Sequence, residues 1–370
     1  MTEKIRQLEA DLQAASGDAA KADALNELAW HLRDTDTKRA HELCGIAHQL
    51  SSLAGYAKGL AYSLRNEGAI NFRLAEYQEA ITKSLEAMAM FDVQQDALGR
   101  ASALNTIGNT HRRLRDYSSA LDTHLKSLDI RERQGDRNGE ASSLNNIGTI
   151  YQTLGDHAKA LECYIKSLKI MRETNDEAGE AACLGNIGEV YYDLGNYEQA
   201  LGYHTEVLAM SERTEDARMQ GITLGSIGKI YYRQNDAARA LDVETKGLTQ
   251  LQRIGDKSNQ VDLLSHIGKA SLATGQSERA IERLQQALAI AEEMEDKELV
   301  AGVHESLSEV YEHLGETGKS LMHYKKFHLL SSEAHDIEAA NLSKCLVIEL
   351  EIKLSQQETE LHRLRNANAV

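Results

Sequence analysis

The acids and imidazoles of this 370-residue chain are the first place to look for chemistry, because acid–base and metal catalysis depend on them. Glu305, Glu309, Glu312 and His313 share one helix face, a spacing that can hold a cation, although solvated charge is the plainer reading. Glu189 and Asp193 are four residues apart; with neutral or basic neighbours such a pair selects a donor on a ligand rather than catalysing a reaction. The remaining histidines are scattered, and neither His41 with His48 nor His323 with His328 has the i, i+4 spacing of a helical metal pair. There is no G-x-S-x-G, no H-E-x-x-H and no P-loop. Cys44, Cys163, Cys183 and Cys345 form no C-x-x-C pair, so they indicate neither a zinc site nor a disulfide framework. They read as small buried hydrophobes, with Cys163 and Cys183 placed to face each other between neighbouring helices. No catalytic residue, metal or cofactor is expected, and the chain is not read as an enzyme.

Amides and cations make a more coherent set. Asn66, Asn105, Asn109, Asn145, Asn146 and Asn186 recur through the first half and middle of the chain. A carboxamide donates and accepts at once, which suits it to the backbone of an extended peptide. Arg65, Arg73, Arg112, Arg113, Lys229, Arg233 and Lys269 recur beside them, and a guanidinium can clamp a carboxylate through two parallel hydrogen bonds. Tyr192 and Tyr232 either anchor a ligand or pack between adjacent helices.

What positions these residues is a repeat of fixed length. Gly68, Gly108, Gly148, Gly188, Gly228 and Gly268 are spaced by 40 residues, without insertion or deletion. An alanine column runs from Ala40 through Ala80, Ala120, Ala160, Ala200 and Ala240 to Ala280, and an aspartate column from Asp96 through Asp136, Asp176, Asp216 and Asp256 to Asp296. Leu144, Ile147, Gly148, Tyr151 and Leu154 form the apolar stripe of a first helix; Ala160, Leu161, Tyr164 and Leu168 form that of a second. Gly155-Asp156 separates the two, a helix stop followed by a cap, and Arg115-Asp116, Gly195-Asn196 and Asn235-Asp236 repeat the device. The glycine and alanine columns read as sites where two helices approach closely, and the aspartate column as the N-caps of the first helices. Fixed-period self-similarity predicts an all-α solenoid, an architecture that offers a binding surface rather than a catalytic pocket.

Composition agrees. Pro is absent, and Ala, Leu, Glu, Arg and Gln abound. The net charge of −16 argues against non-specific nucleic-acid binding. No apolar run approaches membrane-spanning length and the first residues are charged, so neither a membrane partner nor a signal peptide is expected, and the expected location is cytoplasmic.

The L-x-x-[IL]-G-x-x-Y run (Leu144-Ile147-Gly148-Tyr151 and Leu184-Ile187-Gly188-Tyr191), the Ala twelve residues after the Gly and an aromatic four residues later (Tyr164, Tyr324) resemble the tetratricopeptide repeat (TPR) family. The 40-residue period and missing proline place the resemblance with its long-helix subgroup, which includes kinesin light chains, spindle-orientation adaptors and bacterial peptide-sensing regulators. It implies a right-handed superhelix of about eight helix-turn-helix repeats over residues 21–332, with degenerate end units (Leu28 and Ser308 in place of Gly) and an N-terminal capping helix within residues 1–20. It also implies that the first helices line a concave groove, to which the asparagines, cations and tyrosines named above belong. Units two to seven then put seven basic and three acidic residues on that face, favouring a protein or peptide with acidic groups; Glu305, Glu309 and Glu312 reverse the sign at the far end.

Residues 333–370 fit a heptad with Val347, Leu350, Leu354, Leu361 and Leu364 among its a and d positions, predicting a coiled coil that makes a homodimer; the alternative is a helix folded back as a cap on the last repeat. This helix is similar to the one joining TPR sensor regions to output domains in bacterial diguanylate cyclases, adenylate cyclases and histidine kinases. That likeness implies a sensory region relaying occupancy to a catalytic domain past Val370; a free-standing adaptor is the other reading.

Overall fold

The computed structural model describes residues 3–367, and the side chains of residues 4–352 and 354. Among them are seventeen helices and no strand. After α1 (Glu3–Ala14), the first helices of the repeats are α2 (Asp18–Leu32), α4 (Ala57–Arg73), α6 (Ala97–Arg113), α8 (Arg137–Thr153), α10 (Glu177–Asp193), α12 (Ala217–Arg233), α14 (Lys257–Ala273) and α16 (Lys297–His313). They alternate with the second helices α3 (Thr37–Leu53), α5 (Tyr77–Gln94), α7 (Tyr117–Gln134), α9 (His157–Thr174), α11 (Tyr197–Arg213), α13 (Ala237–Ile254) and α15 (Ser277–Glu293). The last partner, α17 (Thr317–Ala367), runs unbroken for 51 residues.

The chain divides into two compact units, Met1–Ile150 with Glu338–Val370, and Tyr151–Ile337. Consecutive helices pack on one another from α1 to α7 in the first unit and from α9 to α16 in the second. First helices also pack on first helices of the adjacent repeat: α2 on α4 and α4 on α6 in one unit, and α10, α12, α14 and α16 in succession in the other. The first helices therefore form a continuous layer in each unit, which is the solenoid that the period implied.

Turns and caps explain the regularity. One residue in every twenty takes the left-handed conformation that stops a helix: Ala75, Arg115, Gly155, Gly195, Asn235, Gly275 and Gly315 after the first helices, and Gly55, Gln95, Gly135, Asn175, Glu215, Gly255 and Glu295 after the second. The next residue but one starts a new helix. The aspartate column does cap the first helices: Asp96, Asp136, Asp176, Asp216 and Asp256 each accept a hydrogen bond from the backbone N–H three residues on, and Asp296 accepts two. Each such cap contributes about 1 kcal/mol.

The alanine column from Ala40 to Ala280 is fully buried. A Cβ added at Gly268 would meet Leu284 Cγ at 2.8 Å and the Ala280 carbonyl at 3.3 Å; one added at Gly188 would meet His204 Nε2 at 2.8 Å. The glycine column thus marks the crossing of a repeat's two helices, where the residue sixteen positions later fills the vacated volume. Gly185, in the interior of α10, has nothing within 4 Å of an added Cβ. Gly268→Ala should therefore lower unfolding stability by about 1–3 kcal/mol. Gly185→Ala should raise it by about 1 kcal/mol, because alanine is the better helix former. Urea unfolding of the two variants checks both signs.

Candidate functional site

The asparagines and cations lie on the first-helix layer, and many of them pair across it. In the unit that begins the chain, Asn66 Nδ2 donates to the Asn26 carbonyl at 2.8 Å, and Asn26 in turn donates to the Gly59 carbonyl at 2.9 Å. Arg65 is also buried: its guanidinium donates to Asn66 Oδ1 at 2.7 and 3.1 Å and lies 4.0 Å from the Trp30 ring centre and 4.7 Å from that of Tyr62. Burial pushes its pKa down to about 10, so the charge persists at neutral pH. Arg65 and Asn66 thus belong to a buried network, and Arg73 is ion-paired with Asp34.

Farther along, Asn146 Nδ2 donates to Asn105 Oδ1 at 2.8 Å. Asn109 and Asn145 are half-buried beside them. The end of α6 gathers basic side chains: His111, Arg112 and Arg113 close the helix and Arg115 follows in the turn. A helix C-terminus favours cations there. Arg113 Nε donates to Tyr77 Oη at 3.3 Å. His124 lies buried against Gly108, and burial, together with Arg112 and Arg131, pushes its pKa down to about 3, so the imidazole adds no charge.

The same layer continues in the second unit. Gln152 donates to Asp193 at 3.0 Å and accepts from Tyr164 Oη at 3.0 Å. Ser226 donates to Glu189 at 2.7 Å, Arg233 Nε to Tyr192 Oη at 3.0 Å, and Lys269 is ion-paired with Glu309 at 2.8 Å. Asn186 is half-buried, and Tyr232 is 37% exposed. The Tyr192 hydroxyl thus meets the adjacent first helix, while its ring lies 5.9 Å from that of Tyr197 on α11. Lys229 lines a pocket of about 60 Å³ with Ser226, Asn259, Asp262 and His266. Burial, reinforced by Lys229 and Lys269, pushes the His266 pKa down to about 3. Glu305, Glu309, Glu312 and His313 are exposed, and no group of three or more metal-ligating side chains occurs among the described residues.

Sequence reasoning missed the second helices' share in this surface. The residue sixteen after each column glycine reaches under the first-helix layer: Tyr164 beneath Gln152, His204 with Nε2 3.5 Å from Glu189, and Glu244 against Gly228. Its signal was present as a column, Ser84, His124, Tyr164, His204, Glu244 and Leu284, whose polar members stand out. Glu244 is buried with Oε2 unpartnered, and burial raises its pKa to about 8 against the pull of Lys229.

The heptad stripe of α17 has an unforeseen counterpart. Val347, Leu350 and Leu354 are half-exposed on one face. The opposite face packs within the first unit, where Cys345 is buried against Ile81 and Leu114. Leu361 and Leu364 are in the helix, but their side chains lie outside the described residues. No helix is long and apolar enough to cross a membrane among the described residues.

The family description "tetratricopeptide repeat" matches residues 59–133, 139–213 and 180–253, and a second form of it matches 263–298. No curated protein matches the sequence. Among solved structures, a Rap protein complexed with competence and sporulation factor superposes with a TM-score of 0.62 at 15% identity, over 90% of this chain and 99% of that one. Aspartyl phosphate phosphatase F from Bacillus subtilis gives 0.62 at 15%, over 89% and 93%. A signal transduction ATPase with numerous domains and a tetratricopeptide repeat sensor, from Pyrococcus horikoshii, gives 0.63 at 17% over 92% of this chain, which spans about half (55%) of that protein. At these identities the likeness concerns the fold.

Glu244 generates a pH prediction. In the unfolded chain it releases its proton near 4.5, in the folded chain near 8. Its contribution to stability is therefore complete below pH 4.5 and is lost as pH rises through about 8. Glu244→Gln should remove that dependence, so the variant gains on the wild type between pH 5 and pH 8 in parallel urea titrations.

Proposed function

The chain belongs to the tetratricopeptide repeat family, and on that premise we propose that it is a protein- or peptide-binding regulatory region whose first-helix layer holds a segment bearing acidic groups. The observation that carries this reading is the C-terminal half of α6. There Asn105, Asn109, Arg112 and Arg113 combine amides suited to a peptide backbone with guanidiniums suited to carboxylates, on a chain whose net charge is −16. Structural relatives support a regulatory setting: one is a Rap protein bound to a factor, another carries its repeats as a sensor.

The half-exposed stripe of α17 supports homodimerisation, with Val347, Leu350 and Leu354 as the pairing residues and Leu361 and Leu364 continuing the register. In this reading the helix passes occupancy of the repeats to an output such as a diguanylate cyclase, in the cytoplasm. A free-standing adaptor is the second reading, favoured by the packing of Cys345 into the repeats, which gives α17 a role inside the chain itself.

Arg112→Glu with Arg113→Glu should abolish binding of a labelled Glu-Gly repeat peptide, measured by fluorescence anisotropy, while circular dichroism shows unchanged helicity. Unaltered affinity removes the groove assignment. Independently, Leu350→Glu with Leu354→Glu should convert a dimer to a monomer in light scattering; a monomeric wild type removes the pairing role and leaves the adaptor.

A further inference from the structure

The third repeat differs from most of its columns in residue type at His111 and Arg115 and in burial at Leu114 between them, and all three face α17. His111 stands in a column otherwise mostly tyrosine (Tyr151, Tyr191, Tyr231, Tyr311). Its Nε2 lies 2.8 Å from Glu349 Oε1, while Nδ1 is 3.6 Å from Asp116 Oδ2. Arg115 stands in a column of left-handed turn residues that holds Gly155, Gly195, Gly275 and Gly315, with Ala75 and Asn235 the other two side-chain-bearing members. A side chain there costs about 1–2 kcal/mol of backbone strain. Its Nε meets Glu338 Oε2 at 2.8 Å.

Between these two contacts lies Leu114. Its equivalents Leu74, Leu154 and Leu194 are 46%, 55% and 52% exposed, whereas Leu114 is 2% exposed. The cover is α17: Cys345 and Leu342 close over Leu114 and over Ile81, with Tyr77 and Leu85 flanking on α5. Glu338, Leu342, Cys345 and Glu349 follow one another at intervals of four, three and four residues, one face of a helix. The opposite face carries Val347, Leu350 and Leu354, so seating this helix on the repeats leaves its heptad stripe open.

We propose that α5 and the basic end of α6 form a docking surface for an amphipathic acidic helix, and that residues 338–349 are its resident occupant, displaced when a partner helix with acids flanking a small apolar centre takes the site. This deepens the proposed function and rests on it, because the site shares the basic end of α6 with Arg112 and Arg113. An acid-bearing partner would compete with Glu338 and Glu349 for that positive charge, and success would free α17 from the repeats. The recognition chemistry is a guanidinium–carboxylate pair at Arg115 and a close imidazole–carboxylate contact at His111, around the apolar slot of Leu114 and Ile81.

The test uses the full chain and a labelled synthetic peptide of its own residues 335–353. Wild type should bind the peptide at least tenfold more weakly than the variant Glu338→Lys with Glu349→Lys, whose own helix is repelled from the site. Adding Arg115→Glu to that variant should remove the gain. Alkylation of Cys345, read by mass spectrometry, should be slow in wild type and at least tenfold faster in the double variant, with circular dichroism confirming that both fold. Equal peptide affinity in wild type and double variant, or Cys345 protected alike in both, overturns the proposal. The Glu-Gly peptide separates this from the groove assignment. If it binds neither chain while the helical peptide binds the double variant, the groove reading fails and the docking surface stands. If it binds both chains equally while the helical peptide shows no preference, the reverse holds.

Discussion

Everything in this fold depends on two backbones coming close at the glycine column. An added Cβ at Gly68, Gly108, Gly188, Gly228 or Gly268 would run into the second helix of its own repeat. Removing the side chain there lets the second helix supply the filling group, and the structure tolerates Ser84, His124, His204, Glu244 or Leu284 in that role. The first helices are held in a layer by this crossing, and the layer sets the spacing at which amides and cations meet from one repeat to the next. The crossing also brings polar groups of the second helices beneath that surface, which is why buried, neutral His124 and a buried Glu244 with a raised pKa occur in it.

Most of the fold was legible because a linear array writes its contacts at a fixed interval. The glycine, alanine and aspartate columns each had one physical reason, and the helix boundaries and caps followed from them. The site was legible only in part. Asn105, Asn146, Tyr192 and Arg233 were expected to line the groove, yet their partnerships with one another are offset by 41 residues, one period plus one, and a column read at 40 does not show them. Arg65 and Asn66 offered themselves as ligand contacts, but their burial depends on Trp30 and Asn26 in a degenerate repeat whose alignment carries little signal. The docking of α17 was hidden for a different reason: its sequence satisfies two helical faces at once, and the heptad is the more regular of them.

The two faces give α17 a physical logic. One is fastened by charge to a single repeat, through contacts that are half-exposed at Arg115 and enclosed at His111. The other is apolar and half-exposed. Over residues 338–349 a helix held this way is sensitive to charge introduced at His111 or Arg115.

Glu244 has a further consequence. Linear repeat arrays ordinarily fray from their ends, since terminal repeats have a single neighbour. A carboxyl confined in the sixth of eight repeats, neutral at neutral pH and ionised in alkali, places a fault inside the span instead. The stability it withdraws is lost between about pH 4.5 and 8, so across that window the array is weakened from within its sixth repeat rather than from an end.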